Sequence, residues 1–320
     1  MPPLVSVVLS AYNRPEFLAV SLSSVLRQSL ADIEVIVQDD STDDRCQELV
    51  RQCSDARVRY THNRPPLGTG ANLRDGYRKC RGKYIATLND DDFYAAGYLE
   101  TMATILEANP AVSLAFADHY IAGPAGEVLL EKSDRCSETW GRSTMKEGLA
   151  PDPLRTALVD KSVPAMFAVC RAQAVDLNDF PEEVGPAYDE WLSYLAVRDG
   201  GSVWYHPHRL TYYRVHAENQ SAHLTGSPRM RLRGIECEKF ILRRLLGDRR
   251  VSSIWPELRR RLASMCATVG FAHLRLGQRR QAREQFATSM KADLTLRAVA
   301  GFGLSLSPGF VFQRLERSFK

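Results

Sequence analysis

Three consecutive carboxylates, Asp90, Asp91 and Asp92, directly follow the apolar, β-prone run 84–88. Like charges this close repel one another, and burying them without compensation is costly. A strand that ends in such a cluster therefore indicates a place where cations bind. Oxygen ligands suit a hard divalent ion, Mg²⁺ or Mn²⁺, that also holds a phosphate. The competing interpretation is a solvated acidic turn.

Two other predicted strands end in polar clusters of the same kind. The buried run 5–9 leads into Tyr12, Asn13 and Arg14, and the run 33–37 leads into Asp39, Asp40 and Ser41. Segments with helical spacing separate these strands, which predicts βαβ units and a parallel sheet covered on both faces. In such sheets ligands bind beyond the carboxyl ends of the strands. Three polar strand ends therefore predict one site.

Two further groups of polar candidates lie downstream. Asp189 and Glu190 stand at the start of a predicted helix, where the helix dipole favours acids, so simple capping is the competing interpretation. Arg214 and His216 are two residues apart on a predicted strand and would share one face. Asn219 and Ser221 follow them in the same segment, which favours a functional role for the histidine.

The region between these groups has a weaker pattern. Residues 122–150 show little periodicity and predict a hairpin and loops. Trp140 in this region is a candidate for stacking on a ring of a bound ligand. Trp191 is a second candidate, although core packing is the interpretation that we favour for it.

Composition places the chain among ordinary globular proteins. It has 320 residues, 44% of them hydrophobic and 25% charged, and no apolar run reaches membrane-spanning length. The apolar N-terminal run has no basic segment before it and is interpreted as a first strand, not a signal peptide. Seven scattered cysteines without a C-x-x-C pair predict reduced thiols in a cytoplasmic protein, and no zinc site.

The charge distribution predicts a change of domain near residue 226. Residues 229–320 carry 20 Lys and Arg against 7 Asp and Glu, a balance of +13, whereas the preceding part has a balance of −9. We therefore expect domains at 1–226 and 227–320. The second, a basic C-terminal tail, has helical patterns throughout and a repeat-like helix pair at 267–290. Its arginine excess could face anionic lipid, an acidic partner or water.

The segments 6–14, 37–43 and 88–92 together resemble the nucleotide-sugar half of family 2 glycosyltransferases. Three departures are visible: Gln38 replaces a usual acid, the usual Gly of that second motif is missing, and Asn89 stands where the first Asp of the carboxylate motif often is. The resemblance extends over about residues 4–221. It implies the GT-A fold, an α/β, Rossmann-like, mostly parallel sheet flanked by helices, here with an all-helical C-terminal extension. Residues 1–118 would form the nucleotide-sugar half and 119–226 the acceptor half.

The resemblance also implies roles for individual residues. Asp39 would hydrogen-bond the uracil edge, and Arg214 would neutralise phosphate charge. Asp92 would ligate the metal directly, with Asp90 as the other acid of the D-x-D motif. Asp91 would lie at the ribose or the metal, and His216 would bind the metal or the diphosphate. The remaining donor-site candidates would line or support the nucleotide pocket; they are Ala11, Tyr12, Arg14 and Asn72. On the acceptor side, Asp189 would be the general base, in preference to its neighbour Glu190.

The activity implied is inverting transfer of a sugar from a nucleoside-diphosphate donor, which we expect to be UDP-linked, to an acceptor hydroxyl with Mg²⁺ or Mn²⁺. The acceptor could be a carbohydrate, a lipid-linked sugar or a small molecule, and the basic tail could contact a membrane. The sequence leaves the sugar, the acceptor and the oligomeric state open.

Two other functions compete with this one. A nucleotidyltransferase would need a glycine-rich loop after the first strand, which segment 10–14 lacks. The other is a non-catalytic protein that binds a partner through its basic tail. The tail lacks the mixed aromatic and basic residues of nucleic-acid binders, so we expect no nucleic-acid partner.

Overall fold

The computed structural model describes residues 2–217, 219 and 228–307. The chain divides into two compact units, Met1–Ser227 and Pro228–Lys320. Ser221, which belongs to the segment that carries Arg214 and His216, lies outside the described residues.

The first unit alternates strands and helices over its first half. Its described strands are β1 (Val5–Ala11), β2 (Ile33–Asp39), β3 (Val58–His62), β4 (Tyr84–Asn89), β5 (Phe93–Tyr94), β6 (Val112–Ala122), β7 (Gly148–Leu149), β8 (Ala168–Arg171) and β9 (Ser202–Arg214). Its described α-helices are α1 (Pro15–Leu26), α2 (Arg45–Cys53), α3 (Thr69–Arg78), α4 (Tyr98–Ala108), α5 (Leu130–Thr139) and α6 (Tyr188–Val197).

All nine strands join one sheet in the order β3-β2-β1-β4-β8-β6-β9-β5, with β7 paired to β9. The strands from β3 to β4 are parallel, β8 is antiparallel to both of its neighbours, and β9 is parallel to β6. This arrangement confirms the predicted α/β fold class.

Burial explains why β1 and β2 appear in the sequence as continuous apolar runs. Six of the seven residues of β1 and all seven of β2 are buried, because helices pack on the sheet. The core that holds these strands also includes residues of α1, α2 and α4, for example Leu18, Val50 and Met102. The carboxyl ends of the parallel strands are thereby fixed at one edge of the sheet.

The prediction of a hairpin and loops at 122–150 is wrong in part, because this region contains helix α5. The residues that α5 buries are Ser133 and Ser137, which are one helical turn apart. Ser133 Oγ accepts from the amide of Ile121 at 2.8 Å, and Ser137 Oγ donates to Asp118 at 2.5 Å. A helix that packs through serines has no apolar periodicity, so the pattern gave no signal.

The second unit is helical, with α7 (Pro228–Leu246), α8 (Trp255–Arg275), α9 (Arg279–Ala292) and α10 (Leu296–Leu306). Phe286 of α9 lies at its core together with Ala267, Leu274 and Ala282. Gly277 has φ +72° and makes the turn between α8 and α9. No helix in the described part of the chain is long and apolar enough to cross a membrane.

Candidate active site

The carboxyl ends of β2, β1 and β4 lie side by side. Ala11 pairs with Asp39 across the β1–β2 ladder, and Ser10 pairs with Asn89 across the β1–β4 ladder. The polar segments that follow these strands therefore meet at one edge, as parallel pairing requires. The segments after β1 and β4 contact each other directly.

Arg14 is the cation that faces the carboxylate cluster. Its guanidinium group pairs with Asp90 through Nη2 and with Asp91 through Nη1, the latter at 2.7 Å. The amide of Tyr12 also donates to Asp90, at 2.9 Å. Only 17% of the Arg14 side chain is exposed, so these ion pairs are shielded from water. These ion pairs and the hydrogen bond of Tyr12 therefore hold the loop after β1 against the loop after β4.

The cluster carries more negative charge than its surroundings balance. Burial raises the pKa of Asp90 to about 7, although the Arg14 charge acts in the opposite direction. Burial and then the charge of Asp91 raise the pKa of Asp92 well above its usual range. A ligand that brings positive charge would relieve this repulsion.

Arg214 is a buried arginine that holds the backbone around the carboxylate cluster. It is 4% exposed; its Nε donates to the carbonyl of Asp91 at 2.8 Å and its Nη1 to the carbonyl of Pro124 at 3.0 Å. Its own amide donates to Asp92 Oδ1 at 3.0 Å. Two of its donors thus hold the backbone of the carboxylate loop, and its role toward phosphate stays a prediction. Arg14 is the arginine placed toward the cleft.

His216 lies beside Asp91. Its Nε2 is 3.3 Å from Asp91 Oδ2 and 3.4 Å from Arg14 Nη1, and its ring packs on Phe17 at 4.5 Å between centroids. The side chain of Asn219 donates to the same Asp91 oxygen at 3.3 Å. Asp91 Oδ2 is therefore the point where Arg14, His216 and Asn219 converge.

A divalent cation fits the chemistry of this donor set. Asp91 is 7% exposed whereas Asp92 has no exposed surface, so Asp91 is the carboxylate nearer the cleft and Asp92 lies beneath it. Among the described residues no three His, Cys, Asp or Glu side chains gather into a complete metal site. Magnesium-type ions need only one or two carboxylates when a substrate phosphate completes their coordination.

Asp39, the residue predicted to bind the uracil edge, lies at the end of β2. It is fully buried; Oδ1 accepts from the Ser41 amide at 2.8 Å and Oδ2 from the Tyr60 hydroxyl at 2.5 Å. In this conformation one carboxylate oxygen of Asp39 accepts from the turn after β2 and the other accepts from β3. Its neighbour Asp40 accepts from the amide of Gly68 at 2.7 Å and from the Asn63 side chain at 2.9 Å.

Asn72 and Ala11 support this wall of the site and have almost no exposed surface. Asn72 donates to the carbonyl of Gln38 at 3.1 Å and accepts from Asn63 at 2.7 Å. The carbonyl of Ala11 accepts from the Asp40 amide at 3.0 Å. Tyr12, by contrast, is 51% exposed at the end of β1. Its ring is the aromatic surface that this edge offers to a ligand.

Asp189 and Glu190 occupy different environments at the start of α6. Glu190 is 4% exposed and pairs with Lys161 at 3.0 Å, whereas Asp189 is only partly buried. Both line a cavity of about 290 Å³, together with Trp140 and Lys161. Trp140 is 40% exposed, which suits a stacking surface, whereas Trp191 is 1% exposed and confirms the core interpretation.

One hydrogen bond connects the two groups of acids. The hydroxyl of Tyr188, the first residue of α6, donates to Asn89 Oδ1 at 3.1 Å. Asp189 follows Tyr188, and Asp90 follows Asn89, so the start of α6 lies against the end of β4. The cavity and the carboxylate cluster are therefore neighbours.

Ser21 and the hydroxyl of Tyr188 are contributors that sequence reasoning did not single out. The hydroxyl of Ser21 in α1 lies within hydrogen-bond distance of the carbonyls of both Asp90 and Asp92, so its single proton is shared between them and holds the loop from beneath. A serine within an apolar helix face gives no distinctive pattern. Asn219 had a visible signal, since it stands three residues after His216.

Comparisons with known proteins find similarity to glycosyltransferases. Residues 6–162 match the family model described as glycosyl transferase family 2. An uncharacterised glycosyltransferase of Methanocaldococcus jannaschii is 35% identical over 133 residues, which are 40% of this chain and 46% of the relative. An Escherichia coli UDP-Glc:alpha-D-GlcNAc-diphosphoundecaprenol beta-1,3-glucosyltransferase is 31% identical over 106 residues, 33% of this chain and 42% of the relative. The chain thus spans less than half the length of these curated relatives.

The fold also matches solved structures over most of the chain. The crystal structure of S. aureus TarS 1–349 in complex with UDP-GlcNAc has a TM-score of 0.70 and is 18% identical. The match covers 94% of this chain and 88% of that chain. At this level of identity the likeness shows a shared fold.

Proposed function

We propose that the chain is a member of glycosyltransferase family 2, whose model matches residues 6–162, and that it transfers a sugar from a UDP-linked donor to an acceptor hydroxyl with inversion. The observation that carries the proposal is the convergence of Arg14, His216 and Asn219 on Asp91 at the carboxyl end of a parallel sheet. Ligands bind at this edge in open α/β sheets. The partly exposed acid Asp189 stands beside it.

The donor nucleotide would bind against the loop after β1. The half-exposed ring of Tyr12 can stack on a base, and Arg14 can exchange its carboxylate partners for diphosphate oxygens. Asp39 would act through the turn that it holds, since its oxygens accept from Ser41 and Tyr60. The S. aureus protein was crystallised with UDP-GlcNAc, which supports UDP as the nucleotide.

Mg²⁺ or Mn²⁺ would be held by Asp91, with Asp92 and His216 in support. Asp92 was the predicted direct ligand, but Asp91 is the more exposed of the two. When bound, such an ion stabilises negative charge on the departing diphosphate. Arg14 would add a second positive charge at the same place.

Asp189 would be the general base. A carboxylate in the first turn of a helix is favoured in its charged form by the helix dipole, and Asp189 lines the cavity where an acceptor could sit. As its oxygen takes the proton of the acceptor hydroxyl, that hydroxyl oxygen bonds to the anomeric carbon and the bond from this carbon to the UDP oxygen breaks. Attack from the opposite face inverts the centre without a covalent enzyme intermediate.

The acceptor would be a sugar carried on a lipid diphosphate. The E. coli relative is named for a diphosphoundecaprenol-linked acceptor, which supports this class. Trp140, 40% exposed at the cavity, offers an apolar surface for one face of the acceptor sugar. Contact of the enzyme with a membrane surface would follow from such an acceptor.

Calorimetric titration with UDP tests the donor site, with TDP and GDP as comparators and with or without Mn²⁺. We expect metal-dependent UDP binding that falls at least about tenfold in Asp91→Asn, which keeps the side-chain shape but removes the charge. Asp55→Asn is the matched control, because Asp55 is a partly exposed acid before β3 that pairs with Arg57 and lies outside the three motif segments. If the wild-type protein binds no nucleoside diphosphate with metal present, the proposal fails.

A further inference from the structure

Helix α10 of the second unit presents an exposed face made only of apolar residues. Leu296 is 90% exposed, Val299 46% and Leu306 61%. Ala300 and Gly303 are also exposed. At 100° per residue these five positions form one continuous stripe about 120° wide. Amphipathic helices of globular proteins turn charged and polar residues to water on this side.

The opposite side of α10 is already packed, so the apolar stripe cannot be its core face. Ala298, Gly301 and Ser305 are the buried residues of the helix. Gly301 lies so close to Phe286 that a β-carbon there would overlap the ring. Thr295 caps the helix by accepting from the amide of Ala298 at 3.2 Å. Rotation of the stripe inward would break all of these contacts.

Basic residues outnumber acids in the segment that contains the stripe. Residues 275–307 contain six Lys and Arg but only two Asp and Glu. Arg297 is exposed on α10 at the edge of the stripe, and Lys291 is exposed at the end of α9. Leu294, 73% exposed, extends the apolar surface into the loop between these helices. An apolar face bordered by lysine and arginine is typical of helices that bind the surface of an anionic bilayer.

We propose that α10 docks the protein onto an anionic membrane surface, with Leu294, Leu296, Val299 and Leu306 entering the boundary between headgroups and acyl chains. The helix has 11 residues and a length of about 16 Å, roughly half of a hydrocarbon core, so it lies in the interface and does not span it. The net charge of +13 in residues 229–320 adds attraction to anionic lipid.

Docking would give the catalytic unit access to a substrate that stays in the membrane. This consequence rests on the proposed function, since it requires the lipid-linked acceptor. The docking surface itself rests on the exposure and charge of the second unit. The two can therefore fail separately.

Co-sedimentation of the full chain with vesicles tests the docking surface. One vesicle set contains phosphatidylcholine alone and the other adds phosphatidylglycerol. The face variant is Leu296→Ser with Val299→Ser. The matched control is Leu130→Ser with Val128→Ser, a Leu and Val pair of the first unit that are 58% and 45% exposed. UDP affinity and the thermal midpoint are measured on each protein.

We expect binding to the anionic vesicles that weakens at high salt, falls at least about tenfold in the face variant and stays within about twofold in the control. UDP affinity should be the same in all three proteins. Absence of binding to anionic vesicles, or equal loss in both variants, overturns the proposal. If the wild-type protein self-associates and only the face variant is monomeric, the face binds a second copy and the proposal is also overturned. Vesicle binding without UDP binding would contradict the proposed function and leave the docking proposal intact.

Discussion

The hydroxyl of Tyr188 donates to the side-chain oxygen of Asn89 at 3.1 Å, and this bond joins the helix of Asp189 to the strand that carries the three carboxylates. Asn89 also accepts from Ser10 Oγ at 3.2 Å and donates to Asp92 at 3.4 Å. A fourth acid at position 89 would add like charge to a cluster that is already under-compensated. The uncharged side-chain amide of Asn89 adds no charge, accepts from Tyr188 and donates to Asp92, so it suits a residue that links α6 to β4.

Tyr188→Phe should lower turnover by about tenfold and leave UDP affinity within about twofold, because loss of one positioning bond misplaces Asp189 but does not touch the donor site. Burial raises the pKa of Tyr188 well above its usual range, so the hydroxyl remains a neutral donor at working pH. Steady-state kinetics with a suitable UDP-sugar, together with UDP calorimetry, provide the measurement.

Tyr98→Phe is the matched control for this variant. Tyr98 is also buried, but its hydroxyl has no hydrogen-bond partner among the described residues. Loss of this hydroxyl should leave turnover and stability nearly unchanged. Equal turnover in the wild type and Tyr188→Phe would show that the bond does not position the base.

Asp189→Asn should reduce turnover by at least about a hundredfold while UDP affinity is kept, because the amide cannot accept the acceptor proton. Glu190→Gln should cost far less turnover. Glu190 is buried against Lys161 at 3.0 Å, so its loss should appear mainly as lower stability. Turnover and chemical denaturation of both variants separate the two roles. The reverse pattern would identify Glu190 as the base.

The fold could be predicted from the sequence because its parallel strands are buried on both faces. A short continuous apolar run such as β2, bounded by polar residues, is typical of a strand in this setting, and the polar residues that follow it identify the active edge of the sheet. Helix α5 was not predicted because the side chains that it buries are polar. Its packing uses Ser133 and Ser137, which carry no apolar periodicity.

The hydrogen-bond partners of individual side chains could not be predicted from the sequence in the same way. Arg214 and Arg14 are both arginines in characteristic segments, yet one binds the backbone carbonyls of Asp91 and Pro124 and the other binds carboxylates. Asp39 likewise accepts from Tyr60, a residue of the neighbouring strand β3. Such differences depend on tertiary neighbours, which sequence spacing does not specify.

The unfolding free energy of the metal-free protein should fall as pH rises from about 4 to 7, through the contribution of Asp90. Burial raises the pKa of Asp90 to about 7 in the folded state, so over this interval the folded protein holds a proton that the unfolded chain has released. In Asp90→Asn, the decrease between pH 5.5 and 7.5 should shrink by roughly 1–2 kcal/mol.

Urea denaturation at these two pH values, without divalent metal, measures the effect. Asp43→Asn is the control, because Arg45 donates hydrogen bonds that lower the pKa of Asp43, so it stays ionised throughout the range. An unchanged pH dependence in Asp90→Asn would mean that Asp90 is ionised in the folded protein at both pH values.

Gly301→Ala should destabilise the second unit by about 1–3 kcal/mol, because the new methyl group would overlap the ring of Phe286 in a packed core. Gly303→Ala lies two residues away in the same helix, where an added β-carbon meets no atom within 4 Å. There the change should be neutral or stabilise by up to about 1 kcal/mol, through the higher helix propensity of alanine. Thermal denaturation followed by circular dichroism gives both values. Equal midpoints for the two variants would mean that α10 does not pack on Phe286 as described.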